Sequence, residues 1–588
     1  MSKSVLFPKL WRRRKKPQAY LISEAAPQSA TQVGARVIAG GAHKKRLMRA
    51  RQRIVICATA FSFVFAGLAV RTAFVSFGGI VDPAFLASDS SAHALLPEIF
   101  DRNGSLLATN LPVQTLEIAG RDTWDVSETV AGLASVVPDL DTNDLANKLV
   151  AKRYVEVASE ISPQQRRALF ELGLPGVQFA TRQQRFYPQA DLAAHLIGHG
   201  EPGKGGVMGL ERYLTANHRS EGVYLSIDMR VQQTLEDELG KALAKFKAKA
   251  AWGGVIKADT GEIIALASLP DFDPNAPGES PADARRNRAT YDRYELGSAF
   301  KAITAAAALD ARIATENSEY DAHGAYRIAD RTITDYRGKN RTLTFAEVIQ
   351  HSSNIGIARI AADLGIDQQQ SVLEALGFFD PIAMPLAENR SPQLPDQWGP
   401  VEIATISYGH GISVTPLHLL VGFNAVVNGG VYRAPTFFHN EQGEARRVFS
   451  QETSISMRRI LRQVILDGTA SFADVDGYYP IGKTATADKP FEGGYNRNTR
   501  IASFVGAVPG YAPEYTILVS LDEPVALKET FGFATAGWNA APLFSRLVAR
   551  IAPILGLMPQ SEDIAISAFD GGVWAREASL SSRGETTR

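Results

Sequence analysis

A serine and a lysine three positions apart could perform nucleophilic catalysis in this chain. They are Ser298 and Lys301, at the start of a predicted helix spanning Ser298–Leu309. This spacing puts both side chains on one helix face, and the helix N-terminus favours negative charge at the serine. A buried neutral lysine can accept the serine proton, because desolvation lowers the pKa of its ammonium. Alone the pattern is weak, since it occurs by chance about once or twice in a chain of this length. On this motif alone, a capped surface helix is the favoured interpretation.

Two further segments supply the polar groups that such a nucleophile needs. The sequence HSSN provides Ser352 and Asn354, just before another apolar helix pattern. The sequence GKTATA provides a second lysine, Lys483, with Thr484 and Thr486 at alternating positions. Alternate side chains of a strand point to the same face, so both hydroxyls could meet one ligand. The chain therefore offers a nucleophile with its base, then a polar pair, then a cationic strand.

The elements that must position these groups are strands at both ends of a helical middle. The patterns predict, in chain order, a helix at Met229–Phe246, a hairpin at Gly253–Ser268, helices at Ala302–Ala311 and Asn354–Leu364, and strands at Ala502–Val508 and Tyr515–Leu521. This order predicts an α+β fold in which helices pack on one antiparallel sheet.

An apolar run near the N-terminus predicts a single membrane-spanning helix. Ile54–Val70 is uninterrupted and covers roughly 25 Å, slightly short of a hydrocarbon core of about 30 Å. If Arg71 snorkels to the headgroups, the run extends to residues 54–75 and is long enough. A buried core helix is the alternative, but Arg-rich sequence seldom precedes one. Residues 1–53 carry fourteen Lys or Arg and one acid, which places them in the cytoplasm and the rest outside.

Composition argues against several other classes of protein. The basic cluster Arg12–Lys16 could contact nucleic acid, but beside a membrane span, topology and anionic lipid explain it more simply. We therefore expect no nucleic-acid partner. Cys57 is the only cysteine, which excludes an intramolecular disulfide. His195, His199 and His410 lack metal-ligand spacing, so structural roles and no metal are expected.

The chain is too long for one core, so several domains are expected. The predicted segments are a mostly disordered basic tail (1–53), the membrane anchor (54–75), an elongated mixed pedestal (81–224), the catalytic domain (225–557) and a flexible C-terminal tail (558–588).

The order of the three chemical motifs resembles the Ser-x-x-Lys, Ser-x-Asn, Lys-Thr-Gly set of the penicilloyl-serine transferases. From the anchor to about Leu557, the chain resembles class B penicillin-binding proteins. The stretches that carry this resemblance are DRNGSLLA (Asp101–Ala108), RFYPQADLAAHLIGHG (Arg185–Gly200), GVMGLERYL (Gly206–Leu214), DTGEIIALASLPDFDPN (Asp259–Asn275), YELGSAFK (Tyr294–Lys301), YGHGISVTPLHLL (Tyr408–Leu420) and IASFVGAVPGYAP (Ile501–Pro513). Ser352–Gly356 and the basic tail are similar to the division-specific, FtsI-type branch rather than to elongation-type relatives.

The resemblance implies a serine β-lactamase-like catalytic domain on a pedestal of the dimerisation type, and a ping-pong acyl transfer without a cofactor. Ser298 would attack the carbonyl of the penultimate D-Ala of a stem pentapeptide, with Lys301 as general base. Ser352 would relay a proton to the departing D-Ala, and Asn354 would hold the substrate amide. β-Lactams would acylate Ser298 because they mimic D-Ala-D-Ala.

The same resemblance implies roles for the cationic strand. Lys483 would provide positive potential, and the hydroxyls of Thr484 and Thr486 would bind the terminal carboxylate. The backbone N–H groups of Ser298 and Thr486 would form the oxyanion hole. An amine from a neighbouring stem peptide would then release the enzyme and complete a cross-link.

Two departures from the family pattern stand out. Ala485 replaces the glycine of Lys-Thr-Gly, and its methyl is expected to narrow the space where substrate backbone would lie. Leu96-Pro97 replaces an Arg-Gly pair before the Asp101 stretch, which puts the local fold of the pedestal in question.

The resemblance also implies a place in the cell and partners. The chain would be a single-pass protein of the inner membrane at the division site, with a cytoplasmic N-terminus and a periplasmic catalytic domain. A SEDS-type, FtsW-like glycan polymerase and other division proteins would be its partners. The alternatives are a division scaffold whose cleft is impaired by Ala485, an elongation-type transpeptidase, and a β-lactamase or β-lactam sensor. A β-lactamase would need an acidic motif for hydrolysis, and none is evident near the serine. A bifunctional enzyme with a glycosyltransferase domain is not expected, because residues 81–224 are too few for that domain.

Overall fold

The protein is represented by a computed structural model that describes residues 41–78, 96–201, 204–217, 221–491 and 494–569. Residues 1–91 and 92–588 form two separate compact units. In the first unit, helix α1 (Gly41–Gly78) contains a stretch, Arg51–Thr72, that is long and apolar enough to cross a membrane. The predicted anchor lies within α1. Residues 41–53 of the predicted disordered tail are helical, and residues 1–40 lie outside the described part.

The second unit begins with a mixed module built around one long strand. Its elements are β1 (Ile99–Phe100), β2 (Leu106–Ala119), α2 (Val126–Ala134), α3 (Thr142–Val150), β3 (Tyr154–Ala158), α4 (Pro163–Glu171), β4 (Val177–Phe186), α5 (Ala194–Ile197), β5 (Gly200–Glu201), β6 (Gly205–Gly206), α6 (Gly209–Ala216) and β7 (Val223–Tyr224). Strand β2 pairs with β1, β3 and β4, all antiparallel, whereas β1 pairs with β7 in parallel. Asp125, Asp141 and Ser162 cap α2, α3 and α4, so local sequence fixes where these helices begin.

The catalytic part contains one five-stranded antiparallel sheet. Its strands are β8 (Ala250–Lys257), β9 (Ile263–Leu269), β16 (Ile481–Phe491), β17 (Gly494–Val508) and β18 (Tyr515–Asp522), in the spatial order β16-β17-β18-β8-β9. The pairing of β18 with β8 joins the two ends of the domain. Strand β16 is an edge strand, because among the described residues only β17 pairs with it. The predicted sheet and both predicted strand pairs are confirmed.

The helices and short hairpins of this part lie on both sides of the sheet and between its strands. The helices are α7 (Met229–Lys245), α8 (Phe300–Asp310), α9 (Phe345–Gln350), α10 (Asn354–Leu364), α11 (Ile366–Ala375), α12 (Pro400–Ile406), α13 (Pro416–Val427), α14 (Gln451–Leu466), α15 (Ala540–Ile554) and α16 (Glu562–Phe569). The small strands are β10 (Glu319–Asp321), β11 (Tyr326–Ile328), β12 (Arg331–Ile333), β13 (Thr342–Thr344), β14 (Val431–Arg433) and β15 (Ala445–Arg447). Helices α7, α8 and α10 confirm the predicted helices. Phe504 of β17 packs on Phe544 of α15 with ring centroids 4.6 Å apart, so α15 covers one face.

The C-terminal prediction is wrong for the first part of the tail. Helix α16 lies within the segment predicted to be flexible, and its Ala565 and Ala568 are buried. The backbone N–H of Gln560 donates to Gly477 O at 2.9 Å, and Phe569 meets the ring of Tyr511 edge-on. Small apolar residues on one face of a short helix therefore suffice to dock it. Residues 570–588 lie outside the described part.

Hydrogen bonds join the pedestal to the catalytic part. Tyr187 N donates to Asn275 Oδ1 at 2.9 Å, and Asn275 Nδ2 donates to Tyr187 O at 3.0 Å.

Within the pedestal, Arg185 is paired with the buried carboxylate of Glu211. It also donates to Pro97 O at 2.7 Å and to Leu96 O at 3.3 Å. The Leu96-Pro97 departure therefore sits in a well-held segment.

Candidate active site

The predicted nucleophile lies in a tight turn rather than in the first turn of an α-helix. Residues Gly297–Ala299 form a 3-10 turn, and α8 begins at Phe300. The turn starts with Gly297 at φ +57°, a backbone conformation that favours glycine. The side chain of Ser298 is half-buried and, among the described residues, makes no hydrogen bond.

A loop that sequence reasoning did not single out as functional packs directly on this turn. Gly297 N donates to Gly409 O at 3.3 Å. Gly409 has φ +79°, and a Cβ built there would lie 2.3 Å from Gly297 O. Only glycine allows this approach. The signal in the sequence was the YGHG run, whose two glycines mark a backbone contact.

Lys301 is fully buried and holds the segment that contains Ser352. Its Nζ donates to Ser352 O at 2.5 Å and to Asn354 Oδ1 at 2.7 Å, and lies 3.1 Å from Ser352 Oγ. Burial, and secondly the charge of Lys483, hold the pKa of Lys301 well below its usual range, while Asp335 acts in the opposite direction. A neutral amine has two N–H donors and one lone pair. The two short bonds use the donors, so the lone pair remains to accept a proton.

The residues around Ser352 are shaped by an aspartate that the sequence did not reveal. Asp335 accepts hydrogen bonds from Ser353 Oγ at 2.7 Å, from Asn354 N at 2.5 Å and from Ile355 N at 3.0 Å. It thus satisfies the free N–H groups where α10 begins. Ser352 itself has φ +60°, which costs free energy for a serine and is retained by these contacts. No spacing signal connects Asp335 with a motif this far along the chain.

Lys483 reaches the same hydroxyl from the sheet. Its Nζ donates to Ser352 Oγ at 3.0 Å and to Thr484 O at 3.2 Å. Burial lowers the pKa of Lys483 to about 7. Ser352 Oγ is therefore the meeting point of two buried amines, whose lowered pKa values make proton exchange near neutral pH feasible.

The two threonines share a strand face but bind different neighbours. Thr484 Oγ1 lies 2.7 Å from Thr469 Oγ1, while Thr486 Oγ1 accepts from Ala536 N at 3.0 Å. Thr486 therefore keeps its hydroxyl proton for a further acceptor.

Ala485 takes the opposite face of the strand. It shares that face with Lys483, and its methyl is 3% exposed and packs among core residues. The expected narrowing of the cleft stays a prediction.

The geometry brings six of the predicted residues into one constellation. Lys301, Ser352, Asn354 and Lys483 are joined by hydrogen bonds, and Thr484 and Thr486 lie on the same strand as Lys483. Ser298 adjoins them through its turn, since a Cβ at Gly297 would lie 3.2 Å from Thr486 O. The arrangement can deprotonate a hydroxyl and carry its proton to a leaving group.

His195, one of the histidines expected to be structural, lies in the protein interior. His195 Nε2 lies 2.7 Å from Ala284 O in the interior, and burial lowers its pKa to about 4. Among the described residues, no group of three or more His, Cys, Asp or Glu side chains could hold a metal ion.

Two family models match the chain. Residues 253–548 match the penicillin-binding protein transpeptidase domain, and residues 97–221 match the penicillin-binding protein dimerisation domain. The second match lies within the pedestal.

Several relatives match over most of the chain. The probable peptidoglycan D,D-transpeptidase FtsI of Caulobacter vibrioides is 39% identical over 488 residues, covering 80% of this chain and 83% of the relative. The peptidoglycan D,D-transpeptidase FtsI of Escherichia coli is 26% identical over 502 residues, covering 79% and 84%. Among solved structures, penicillin-binding protein 3 of Mycobacterium tuberculosis, in complex with aztreonam, has a TM-score of 0.62 at 22% identity, over 80% of this chain and 98% of that one.

Together, the matches cover the pedestal and the catalytic part, with Lys301 on its helix and Lys483 on its sheet. The chain therefore belongs to the class B penicillin-binding proteins, as a serine-type peptidoglycan D,D-transpeptidase of the FtsI type, which cross-links the wall in cell division.

Proposed function

We propose that Ser298 is the nucleophile that the donor peptide acylates and that the two buried lysines manage its proton. The observation that carries this proposal is the convergence of Lys301 and Lys483 on Ser352 Oγ, at 3.1 and 3.0 Å. The lone pair of neutral Lys301 accepts the proton of Ser298 while Oγ attacks the carbonyl carbon of the penultimate D-Ala. The C–N bond to the terminal D-Ala then breaks. Ser352 passes a proton to the departing nitrogen and regains one from Lys301, which becomes neutral again.

The edge strand binds the donor peptide in this proposal. Strand β16 has one unpaired edge, along which an extended peptide can add as a further strand. Ala485 contributes its backbone there. Asn354 Nδ2 and the hydroxyls of Thr484 and Thr486 face the substrate amide and the terminal carboxylate. The N–H groups of Ser298 and Thr486 stabilise the oxyanion, an effect typically worth about 3–4 kcal/mol per donor.

The second half of the reaction uses the same groups in reverse. An amine of a neighbouring stem peptide attacks the ester carbonyl, so that a C–N bond forms and the bond to Ser298 Oγ breaks. The amine proton travels through Ser352 and Lys301 back to Ser298. β-Lactams acylate the same hydroxyl as mimics of D-Ala-D-Ala, in keeping with the solved relative that holds aztreonam.

We further propose that α1 anchors the chain in the inner membrane, with the N-terminus in the cytoplasm and the catalytic domain in the periplasm at the division site. The apolar stretch Arg51–Thr72 and the fourteen Lys or Arg of residues 1–53 support this topology. The proposed partners are an FtsW-like SEDS polymerase and other division proteins, and the proposed substrates are stem pentapeptides.

The proposal is tested by covalent labelling of the full chain, in detergent, with a fluorescent penicillin. Wild-type protein should carry one label that survives denaturation, and Ser298→Ala should carry none, because the nucleophile is gone. Ser135→Ala, a serine at the exposed end of α2, is the matched control and should label fully. An unlabelled wild-type protein would overturn the proposal and favour a scaffold role instead.

A further inference from the structure

An aromatic cluster borders the candidate active site. Trp538 stacks on Phe533 with ring centroids 5.6 Å apart, and contacts Phe531 at 5.5 Å and Phe472 at 5.3 Å. Phe531 is 74% exposed and Phe472 is 51% exposed. We call these four residues the Trp538 cluster. Large aromatic rings left in water in this way commonly mark a binding surface.

One arginine lies against this cluster. The guanidinium of Arg337 sits 4.7 Å from the centroid of the Phe533 ring and 5.9 Å from that of Tyr336. Its side chain is exposed and, within the described residues, forms no ion pair. A guanidinium placed on a ring is held in position while its N–H groups remain free to bind a carboxylate.

The contact between Arg337 and Phe533 spans the two walls of the cleft. Arg337 follows two residues after Asp335, which holds the N–H of Asn354. Phe533 precedes by three residues Ala536, whose N–H donates to Thr486. One wall carries the polar pair and the other carries the edge strand. The contact between Arg337 and the Phe533 ring therefore joins the segment that holds Asn354 to the segment that holds Thr486.

The sequence of the two half-reactions indicates which part of the substrate lies at the Trp538 cluster. The acyl-enzyme reacts with an amine along the reverse of the path by which the first amine left. The acceptor nitrogen therefore takes the position that the terminal D-Ala nitrogen vacates, and a carboxylate on the acceptor α-carbon takes the place at Thr484 and Thr486. The remainder of the acceptor must extend beyond those hydroxyls. Thr469 contacts Thr484, and Ala536 contacts Thr486. Phe472 lies three residues after Thr469 in the chain, and Trp538 lies two residues after Ala536.

We propose that Arg337 and the Trp538 cluster form the acceptor subsite, which binds an amine-bearing peptide through a second carboxylate and its apolar chain. This inference rests on the proposed function. The acceptor amine attacks the ester carbonyl of acylated Ser298, the C–N bond forms and the bond from the carbonyl carbon to Ser298 Oγ breaks. The serine regains a proton that the amine has lost. Arg337 fixes the acceptor through its distal carboxylate and takes no part in the bond changes.

The test measures the ratio of aminolysis to hydrolysis when the acyl-enzyme reacts with an added amine in water. A peptide thioester ending in D-Ala loads Ser298 of the full chain, and the aminolysis and hydrolysis products are counted by chromatography. The acceptors are D-α-aminopimelate and D-glutamate, each compared with a neutral partner, D-α-aminoheptanoate and D-glutamine. Arg337→Gln should lower the aminolysis-to-hydrolysis ratio about tenfold for an acidic acceptor and by less than about twofold for its neutral partner.

Two variants control for charge and for structure. Arg331→Gln removes an exposed arginine of β12 whose ion pair, among the described residues, is with Asp330 at 3.8 Å. This variant should leave the ratio unchanged. Arg337→Lys keeps the charge and should restore much of the acidic preference. The inference would be overturned if Arg337→Gln had the same aminolysis-to-hydrolysis ratios as the wild type, for acidic and for neutral acceptors alike. Failure of the thioester to load Ser298 at all would instead overturn the proposed function.

Discussion

At the residue scale, the unusual feature is a serine hydroxyl shared by two buried amines. Ser352 Oγ accepts hydrogen bonds from both Lys301 and Lys483. Two ammonium groups this close would repel each other, which favours a state in which one is neutral. The site therefore stores one proton between two lysines, and Ser352 can pass it on.

The pH dependence of acylation should shift in opposite directions in two variants. The charge of Lys483 lowers the pKa of Lys301, and the charge of Asp335 raises it. Acylation needs neutral Lys301, so its rate rises with pH through that pKa. Lys483→Met should move this rise to higher pH and Asp335→Asn to lower pH, each by about one pH unit. The measurement is the rate of labelling by fluorescent penicillin from about pH 5 to about pH 9.

The position of the rise is the informative quantity, since both variants also lose rate. Asp335→Asn weakens the bonds to Ser353 and Asn354, and Lys483→Met removes one partner of Ser352. A fall in rate without displacement of the rise would show that Lys301 is not the titrating base.

At the scale of elements, the turn of the proposed nucleophile contacts a loop and an edge strand. The turn Gly297–Ala299 contacts the backbone of Gly409 and of Thr486. Neither neighbour is near it in sequence. The turn therefore depends on the packing of α12, its following loop and β16, more than on the start of α8.

Replacing Gly409 should be far more damaging than replacing its neighbour Gly411. Both have positive φ, +79° and +76°, so each alanine pays a similar backbone strain of about 1–2 kcal/mol. Only at residue 409 does the new Cβ also collide with the nucleophile turn, 2.3 Å from Gly297 O. Gly409→Ala should reduce penicillin labelling by about a hundredfold or more relative to Gly411→Ala. Equal labelling rates, with melting temperatures measured alongside, would contradict this role of the loop.

The sequence predicted the elements better than it predicted their contacts. Period and turn chemistry located α7, the β8–β9 hairpin and the strands of the sheet, because these depend on neighbours in the chain. Motif order identified Ser298, Lys301, Ser352 and Lys483. Asp335 was missed because its role arises from a loop folded back on α10, and α16 was missed because a few buried alanines leave little hydrophobic signal. Which role each residue plays in catalysis stays a prediction.

At the scale of the whole molecule, one half-buried carboxylate lies where the pedestal meets the catalytic part. Glu236 of α7 accepts from Ala193 N of the pedestal at 3.0 Å and from Gln232 at 2.7 Å. Burial raises the pKa of Glu236 to about 7, and the charges of Asp271 and Asp191 add to this. Between the two pKa values, Glu236 therefore holds a proton in the folded protein that the unfolded chain would release.

The free energy of unfolding should depend on pH through Glu236. The nearby Glu238 should contribute a pH dependence in the opposite direction. Between the unfolded pKa, about 4.5, and the folded pKa, about 7, the folded chain binds more protons, so the contribution of Glu236 is lost as pH rises. Glu236→Gln should therefore raise the melting temperature at about pH 8 more than at about pH 5.

Glu238, on the same helix, is the matched control for this test. Burial tends to raise the pKa of Glu238, but hydrogen bonds from Arg550 and Arg546 hold it below its usual value. Its stabilisation is present at high pH and lost as pH falls, so Glu238→Gln should lower the melting temperature at about pH 8. The same sign of change in both variants would rule out this account of the joint.

The pairing of β8 with β18 has a consequence for the order of synthesis. Ala250 lies opposite Asp522, so the middle of the sheet closes only after nearly the whole domain has been made. At about 5–20 residues per second, the intervening chain takes roughly 10–60 s to appear. During that time the β8–β9 hairpin and the apolar helices after it lack their final partners. Ser298 leaves the ribosome well before Lys483, and the nascent chain becomes an enzyme only when its last strand arrives.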